Sequence, residues 1–123
     1  MSKGFTFFEM LVVVTIIGLL LMIALPNYIN ARTKAMTNTC VSNQKVIYTA
    51  TTMYMMEESE SLAGMGHKER LDALIDNGYI KGSKWAECPS SGDKDYDDYT
   101  IVFASAILSD IECDAEPSVH IWP

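Results

Sequence analysis

Residues 4–26 read GFTFFEMLVVVTIIGLLLMIALP, and this stretch decides what the rest of the chain can be. Its apolar core, Met10–Leu25, is interrupted by Thr15 and Gly18. As a helix, Phe5–Leu25 would be about 31 Å long, which roughly matches the hydrocarbon core of a bilayer. The stretch therefore predicts a helix that can reside in a membrane.

The residues in front of this core distinguish it from a secretory signal peptide. A signal peptide has its small-residue cleavage site after the core, whereas here the small residue, Gly4, precedes it, with Lys3 in a short basic leader. Cleavage after Gly4 would keep the apolar helix and create an α-amine on Phe5. The alternative is an uncleaved single-span anchor, which hydropathy alone leaves open.

Glu9 is a carboxylate in the first turns of this apolar helix. Its insertion into a bilayer costs roughly 2.5–3.5 kcal/mol, so such an acid usually has a partner. Phe5 and Glu9 have i, i+4 spacing, so the new amine can pair with Glu9 of its own chain. It can instead pair with Glu9 of a neighbour, which would set the axial register between subunits. An interfacial carboxylate in contact with headgroup water is the alternative.

Gly4–Glu9 followed by MLVVVTIIG resembles the class III leader and N-terminal helix of type IV pilins and type II secretion pseudopilins. The resemblance implies that a prepilin peptidase cuts between Gly4 and Phe5, that Phe5 is then N-methylated, and that Glu9 is needed for assembly. It also implies that Pro26 is the helix-kinking proline of the family. Phe8 departs mildly, because an aliphatic residue is usual there.

Pro26 and Gly18 also have a physical interpretation. A proline inside a helix removes one backbone hydrogen bond and bends or breaks the helix. A glycine weakens the same stretch and permits close approach of a second helix. We therefore expect both residues to let the helix bend in a filament, with a simple helix terminator as the alternative for Pro26.

Asn27–Glu60 contains no Gly or Pro, and its apolar residues recur at helical spacing. This pattern predicts one amphipathic helix that continues the membrane segment, more than about 50 residues in all. The expected apolar face comprises Ala31, Ala35, Val46, Ile47, Ala50, Met53 and Tyr54, and the expected polar side comprises Arg32, Lys34, Asn38, Asn43, Gln44 and Lys45.

The remaining residues predict a small head. Lys68–Asn77 predicts a short helix with Gly78 as its stop signal. Tyr99–Phe103 and Ile107–Cys113 predict a strand pair, and Val119–Trp122 a last strand, so the antiparallel sheet would have about three or four strands.

These elements predict an α+β, pilin-like fold, in which a small antiparallel sheet packs on the second half of a long N-terminal helix. The predicted organisation is a leader at 1–4, a transmembrane or filament-core helix at 5–27, its amphipathic continuation at 28–60, and a globular head at 61–123.

The three cysteines are Cys40, Cys88 and Cys113. A Cys88–Cys113 bridge would close about 26 residues and contribute roughly 3.5 kcal/mol by loop entropy. The turn Cys88-Pro-x-x-Gly92 with a closing Cys113 is similar to that of a subset of pilin-like proteins, which implies this pairing. Cys40 is expected to be a free, buried residue, with pairing to either other cysteine as the alternative, and the absence of Cys-x-x-Cys argues against a cysteine metal site.

Asp93, Asp95, Asp97 and Asp98 form an acidic run. Such carboxylates can converge on Ca²⁺, and the resemblance adds that some major pseudopilins bind calcium in a C-terminal loop. The spacing is not that of an EF-hand, and a solvated acidic loop is the alternative. No other cofactor is expected.

The net charge of −7 argues against nucleic acid as a partner, and no catalytic motif indicates an enzyme. The resemblance implies a structural subunit that is stored in the inner membrane with its head on the periplasmic side. An inner-membrane assembly platform would polymerise it with itself into an extracellular or periplasmic filament.

Two alternatives remain. A type II secretion pseudopilin shares the N-terminus, but the major pseudopilin commonly has a Trp-Gly-x-x-Tyr stretch that is absent here and lacks the cysteine pair. The second alternative is an uncleaved, membrane-anchored binding module that depends on calcium.

Overall fold

The computed structural model describes residues 4–59, 61–82, 86–92, 98–115 and 117. Its elements in chain order are helix α1 (Phe7–Glu57), a 3-10 turn (Leu62–Gly64), helix α2 (His67–Asp76), strand β1 (Tyr99–Ala104) and strand β2 (Ile107–Cys113). The fold is therefore α+β, with a long N-terminal helix and a small antiparallel sheet, as predicted.

The chain divides into two compact units, Met1–Lys34 and Ala35–Pro123. In the first unit every described residue is exposed, including the apolar side chains of α1. The helix there is maintained by its backbone hydrogen bonds, and the Thr15 hydroxyl donates to the Leu11 carbonyl at 2.7 Å. Helical structure continues through Pro26 without interruption.

In the second unit, one face of α1 is buried at seven-residue intervals. Cys40, Ile47 and Tyr54 lie on this face and are at most 5% exposed. They pack in one core cluster with leucines of α2 and with inward residues of the hairpin, namely Leu71, Leu74, Tyr99, Ile101 and Ile111. The predicted burial of Ile47, Ala50 and Tyr54 is therefore confirmed.

Other assignments on the amphipathic helix were wrong. Ala31 and Ala35 are exposed, and Met53 is 53% exposed. Asn43 and Gln44, expected on the polar side, are buried. Asn43 tolerates burial because its Nδ2 donates a hydrogen bond to the Glu87 carbonyl at 3.2 Å. Glu87 is far from Asn43 in the sequence.

Strands β1 and β2 form an antiparallel hairpin in which Tyr99 pairs with Cys113 and Ile101 pairs with Ile111. Alternation along the strand places Tyr99 and Ile101 on the buried side. The described residues contain two strands, fewer than the three or four expected, and the predicted last strand at 119–122 lies outside them.

Helix α2 begins and ends one residue earlier than predicted. The backbone N–H of Gly66 donates to Oε2 of Glu69 at 3.0 Å, which satisfies a donor at the start of the helix. Beyond the helix, Gly78 has a φ of +79°, a conformation that L side chains rarely adopt, and this explains the glycine stop signal.

Candidate functional site

The predicted cleavage site lies in non-helical backbone. Gly4, Phe5 and Thr6 precede α1 and are exposed, and Phe5 is 75% exposed. A Cβ added at Gly4 would meet no atom within 4 Å. The Gly4–Phe5 bond is therefore free of the helix and accessible, two properties that proteolysis favours.

Glu9 forms a capping box with Thr6 at the start of α1. Oε2 of Glu9 accepts hydrogen bonds from the Thr6 backbone N–H at 3.0 Å and from the Thr6 hydroxyl at 2.9 Å. The Glu9 backbone N–H in turn donates to the Thr6 hydroxyl oxygen at 3.3 Å. Sequence reasoning missed this role, although Thr-x-x-Glu at a helix start is the signal for it.

The capping box bears on the predicted pair between the Phe5 amine and the Glu9 carboxylate. The carboxylate of Glu9 already has two donors from Thr6. An amine on Phe5 would add to these hydrogen bonds or compete with them. The pairing of Phe5 with Glu9 stays a prediction.

The first unit has an apolar coat, formed by the large hydrophobic side chains of α1 together with Phe5 before it. Large hydrophobic side chains from Phe5 to Ile29 are between 40% and 85% exposed. Among the described residues, α1 is the one helix long and apolar enough to cross a membrane, and none of its most apolar window is buried. A signal sequence shares these properties, so length and composition do not fix what covers the surface.

Gly18 and Pro26 both lie inside α1. A Cβ on Gly18 would meet nothing within 4 Å, so its surface is open to a neighbouring helix. The close approach at Gly18 and the bend at Pro26 stay predictions.

The structure brings all three cysteines together. They are buried thiols, and their sulfurs lie within 4.8 Å of one another. Cys88 and Cys113 are therefore neighbours, as the predicted bridge requires, and that bridge stays a prediction. Cys40 is buried as expected, but its place beside the other two could not be read from the sequence.

Two polar side chains border this cluster. The hydroxyl of Tyr99 hydrogen-bonds to Cys40, and Nδ2 of Asn43 donates to the Tyr99 oxygen at 3.4 Å. Burial raises the pKa of the Cys40 thiol and also that of the Tyr99 phenol. Both groups are therefore neutral around pH 7 in the chain alone.

Asp98 has a structural role that the calcium hypothesis did not include. Its Oδ2 accepts a hydrogen bond from the Cys88 backbone N–H at 2.7 Å, next to a turn in which Ser91 N–H donates to the Cys88 carbonyl. Asp93, Asp95 and Asp97 lie outside the described residues. A calcium site in this run stays a prediction, and one of its carboxylates already holds the cysteine turn.

The comparisons with known proteins bear on the N-terminal segment. Residues 1–25 match the family model described as the prokaryotic N-terminal methylation motif. The Type IV major pilin protein PilA of Myxococcus xanthus (strain DK1622) is 37% identical to the chain over 57 residues. In these residues the chain is similar to a type IV pilin. The aligned part is 46% of this chain and 26% of the Myxococcus protein, and no solved structure matches.

Proposed function

We propose that this pilin-like chain is the structural subunit of a type IV pilus-like filament. Its α1 would anchor it in the inner membrane with the head on the periplasmic side, and prepilin peptidase would then cut between Gly4 and Phe5. The observation that carries the proposal is the apolar coat of α1, exposed from Phe5 to Ile29 and preceded by an accessible non-helical bond.

Polymerisation is the physical use of such a coat. Burial of apolar surface is worth roughly 25 cal/mol per Å², so this helix is unstable in water without a cover. Lipid supplies the cover before assembly, and the helices of neighbouring subunits supply it afterwards. Because both surroundings are apolar, the helix need not pass through water. A head-to-tail contact that does not close then produces a helical fibre.

Glu9 would set the register of that fibre. The Thr6 hydrogen bonds stabilise its carboxylate during membrane storage. After cleavage, the α-amine of Phe5 from a neighbouring subunit would supply the opposite charge at one axial position. A carboxylate in an apolar surrounding is costly unless it is paired, so other registers would be disfavoured.

The test of the register role is Glu9→Ala, with Glu112→Ala as the matched control. Glu112 is an exposed acid on β2, far along the chain from the apolar helix. We expect both variants to be processed and to fold, and only Glu9→Ala to lose fibres in electron microscopy of sheared cells. Normal fibres from Glu9→Ala would contradict the register role.

N-terminal sequencing of membrane-extracted protein distinguishes the pilin from the anchored binding module. A start at a methylated Phe5 supports the filament subunit, and an intact Met1 supports the anchor. A pseudopilin would also start at Phe5, so its distinguishing result is loss of protein secretion without loss of surface fibres when the chain is deleted.

A further inference from the structure

The buried cysteine cluster is the strongest group of metal-ligating side chains in the described part of the chain. Cys40, on α1, Cys88, in the turn before β1, and Cys113, at the end of β2, are 0%, 3% and 1% exposed. Three separate elements thus direct one sulfur each to a common point, with all three sulfurs within 4.8 Å of one another.

The sulfur spacing fits a metal ion. An ion in the plane of three sulfurs and about 2.3 Å from each requires the sulfurs to be about 4.0 Å apart. The largest of the three sulfur–sulfur distances is at most 4.8 Å, about 0.8 Å above this value. A disulfide would hold two of the sulfurs about 2.05 Å apart and leave the third outside the bond.

The donor set selects the kind of ion. Among the described residues this group offers three ligands, all of them cysteine sulfur. Soft thiolates select copper(I), zinc or iron–sulfur clusters. Structural zinc sites use four ligands, so a set of three sulfurs fits copper(I) better than zinc. The Tyr99 hydroxyl, which hydrogen-bonds to Cys40, and the Asn43 amide behind it supply the outer hydrogen bonds that orient and tune a metal ligand.

We propose that Cys40, Cys88 and Cys113 form a trithiolate site for one copper(I) ion. The ion would join the long helix to the turn before β1 and to the end of β2. This inference does not rest on the filament function. It requires all three thiols to be reduced, so it is an alternative to the predicted Cys88–Cys113 bridge. Each cysteine that ligates the ion loses its thiol proton to solvent, so binding weakens as the pH falls.

Copper(I) and a disulfide exclude each other at this cluster. A Cys88–Cys113 disulfide consumes two of the three ligands and leaves one sulfur. The site therefore exists in the reduced protein, and oxidation by a disulfide-bearing reagent such as oxidised glutathione would abolish it while two glutathione thiols form.

The test is an anaerobic titration of the reduced full-length chain, in detergent, with copper(I) against a copper(I)-specific chelator. We expect the protein to retain one equivalent of copper(I). We also expect the bound ion to prevent all three thiols from reacting with a thiol reagent. Loss of an outer hydrogen bond typically weakens metal binding by roughly 10–100-fold. Tyr99→Phe should weaken copper(I) binding by no more than this factor, and Cys40→Ser by at least this factor.

The matched control is the double variant Met53→Leu, Met56→Leu, which removes exposed thioethers from α1. Binding that survives in Cys40→Ser but is lost in this control would overturn the proposal, as would a reduced, folded wild-type chain that retains no copper(I). Tighter retention of zinc than of copper(I) in the same titration would overturn the assignment of the ion. The wild-type measurement does not depend on whether a cysteine variant folds.

Discussion

Tyr79 holds two carboxylates at the C-terminal end of α1. Its hydroxyl donates to Oε2 of Glu57 at 2.7 Å and approaches Oε1 of Glu58 at 3.4 Å. Its ring meets that of Tyr54 edge-on, with centroids 5.4 Å apart. Acids at this end of a helix oppose the helix dipole, so the phenol stabilises an otherwise unfavourable terminus. The hydrogen bond to Glu57 raises the pKa of Tyr79 to about 12.

We predict that Tyr79 ionises later than an ordinary tyrosine, whose pKa is about 10. The interaction that raises the pKa stabilises the folded state, and its contribution is complete below about pH 10. The contribution is lost as the pH rises through about 12, where the folded-state phenol ionises. The ultraviolet titration curve of the wild type, minus that of Tyr79→Phe, gives the ionisation of the Tyr79 phenol alone. Glu57→Gln should return its midpoint towards 10, and an unchanged midpoint would show that Glu57 is not the cause.

Local sequence patterns predict residue roles when the partners are close in sequence. Gly4, Phe5 and Glu9 belong to one contiguous motif, and their roles in processing and assembly stay predictions. The Thr6–Glu9 capping box could have been predicted from the same motif. Asn43 was not, because its partners, Glu87 and Tyr99, are brought to it only by the fold. The convergence of the three cysteines has the same origin.

At the scale of elements, Arg70 on α2 connects three parts of the head. Its Nε donates to the Leu62 carbonyl and its Nη2 to the Ala63 carbonyl, both at 2.9 Å. Its Nη1 donates to the Ile101 carbonyl of β1, and the guanidinium lies 5.0 Å from the centre of the Phe103 ring. One planar cation thereby fixes the 3-10 turn and β1 to α2.

We predict that Arg70→Lys destabilises the head by about 1–3 kcal/mol, because a single ammonium cannot reproduce the three forked hydrogen bonds. Urea unfolding of the full chain in mild detergent, followed by tryptophan fluorescence, measures the change. Lys81→Ala, on an exposed residue, should stay within about 0.5 kcal/mol of wild type. An equal effect of the two substitutions would contradict the role of Arg70.

The bounds of α2, β1 and β2 were predicted to within one residue and those of α1 to within three, since helical and strand periodicity are local properties. The face of α1 was less predictable. Its pattern indicates a helix but not where along its length the head packs, so Ala31 and Ala35 were wrongly placed in the apolar face. Burial of this face begins at Cys40, where the head first covers the helix within the second unit.

For the whole molecule, the division into units separates two kinds of apolar surface. Among the described residues, every buried hydrophobic side chain lies at Cys40 or beyond, within the second unit, whereas the exposed apolar coat belongs to the first. Residues 4–34 contribute no buried side chain.

We predict that a chain lacking residues 1–34 is soluble and monomeric without detergent, while the full chain requires detergent or a membrane. The physical reason is that the deletion removes the uncovered apolar surface and leaves the core complete. Gel filtration and circular dichroism check both points. Aggregation of the shortened chain would mean that the first unit contributes to the fold of the head.

The turn of the hairpin bears on the order in which the chain folds. Ser105 and Ala106 have φ of 53° and 68°, in the left-handed region where side chains cost about 1–2 kcal/mol each. A lone two-stranded ribbon is marginal even with a favourable turn. We therefore expect the hairpin to form late in folding, by packing on a helix that has already formed. The folding nucleus would then consist of α1 and α2.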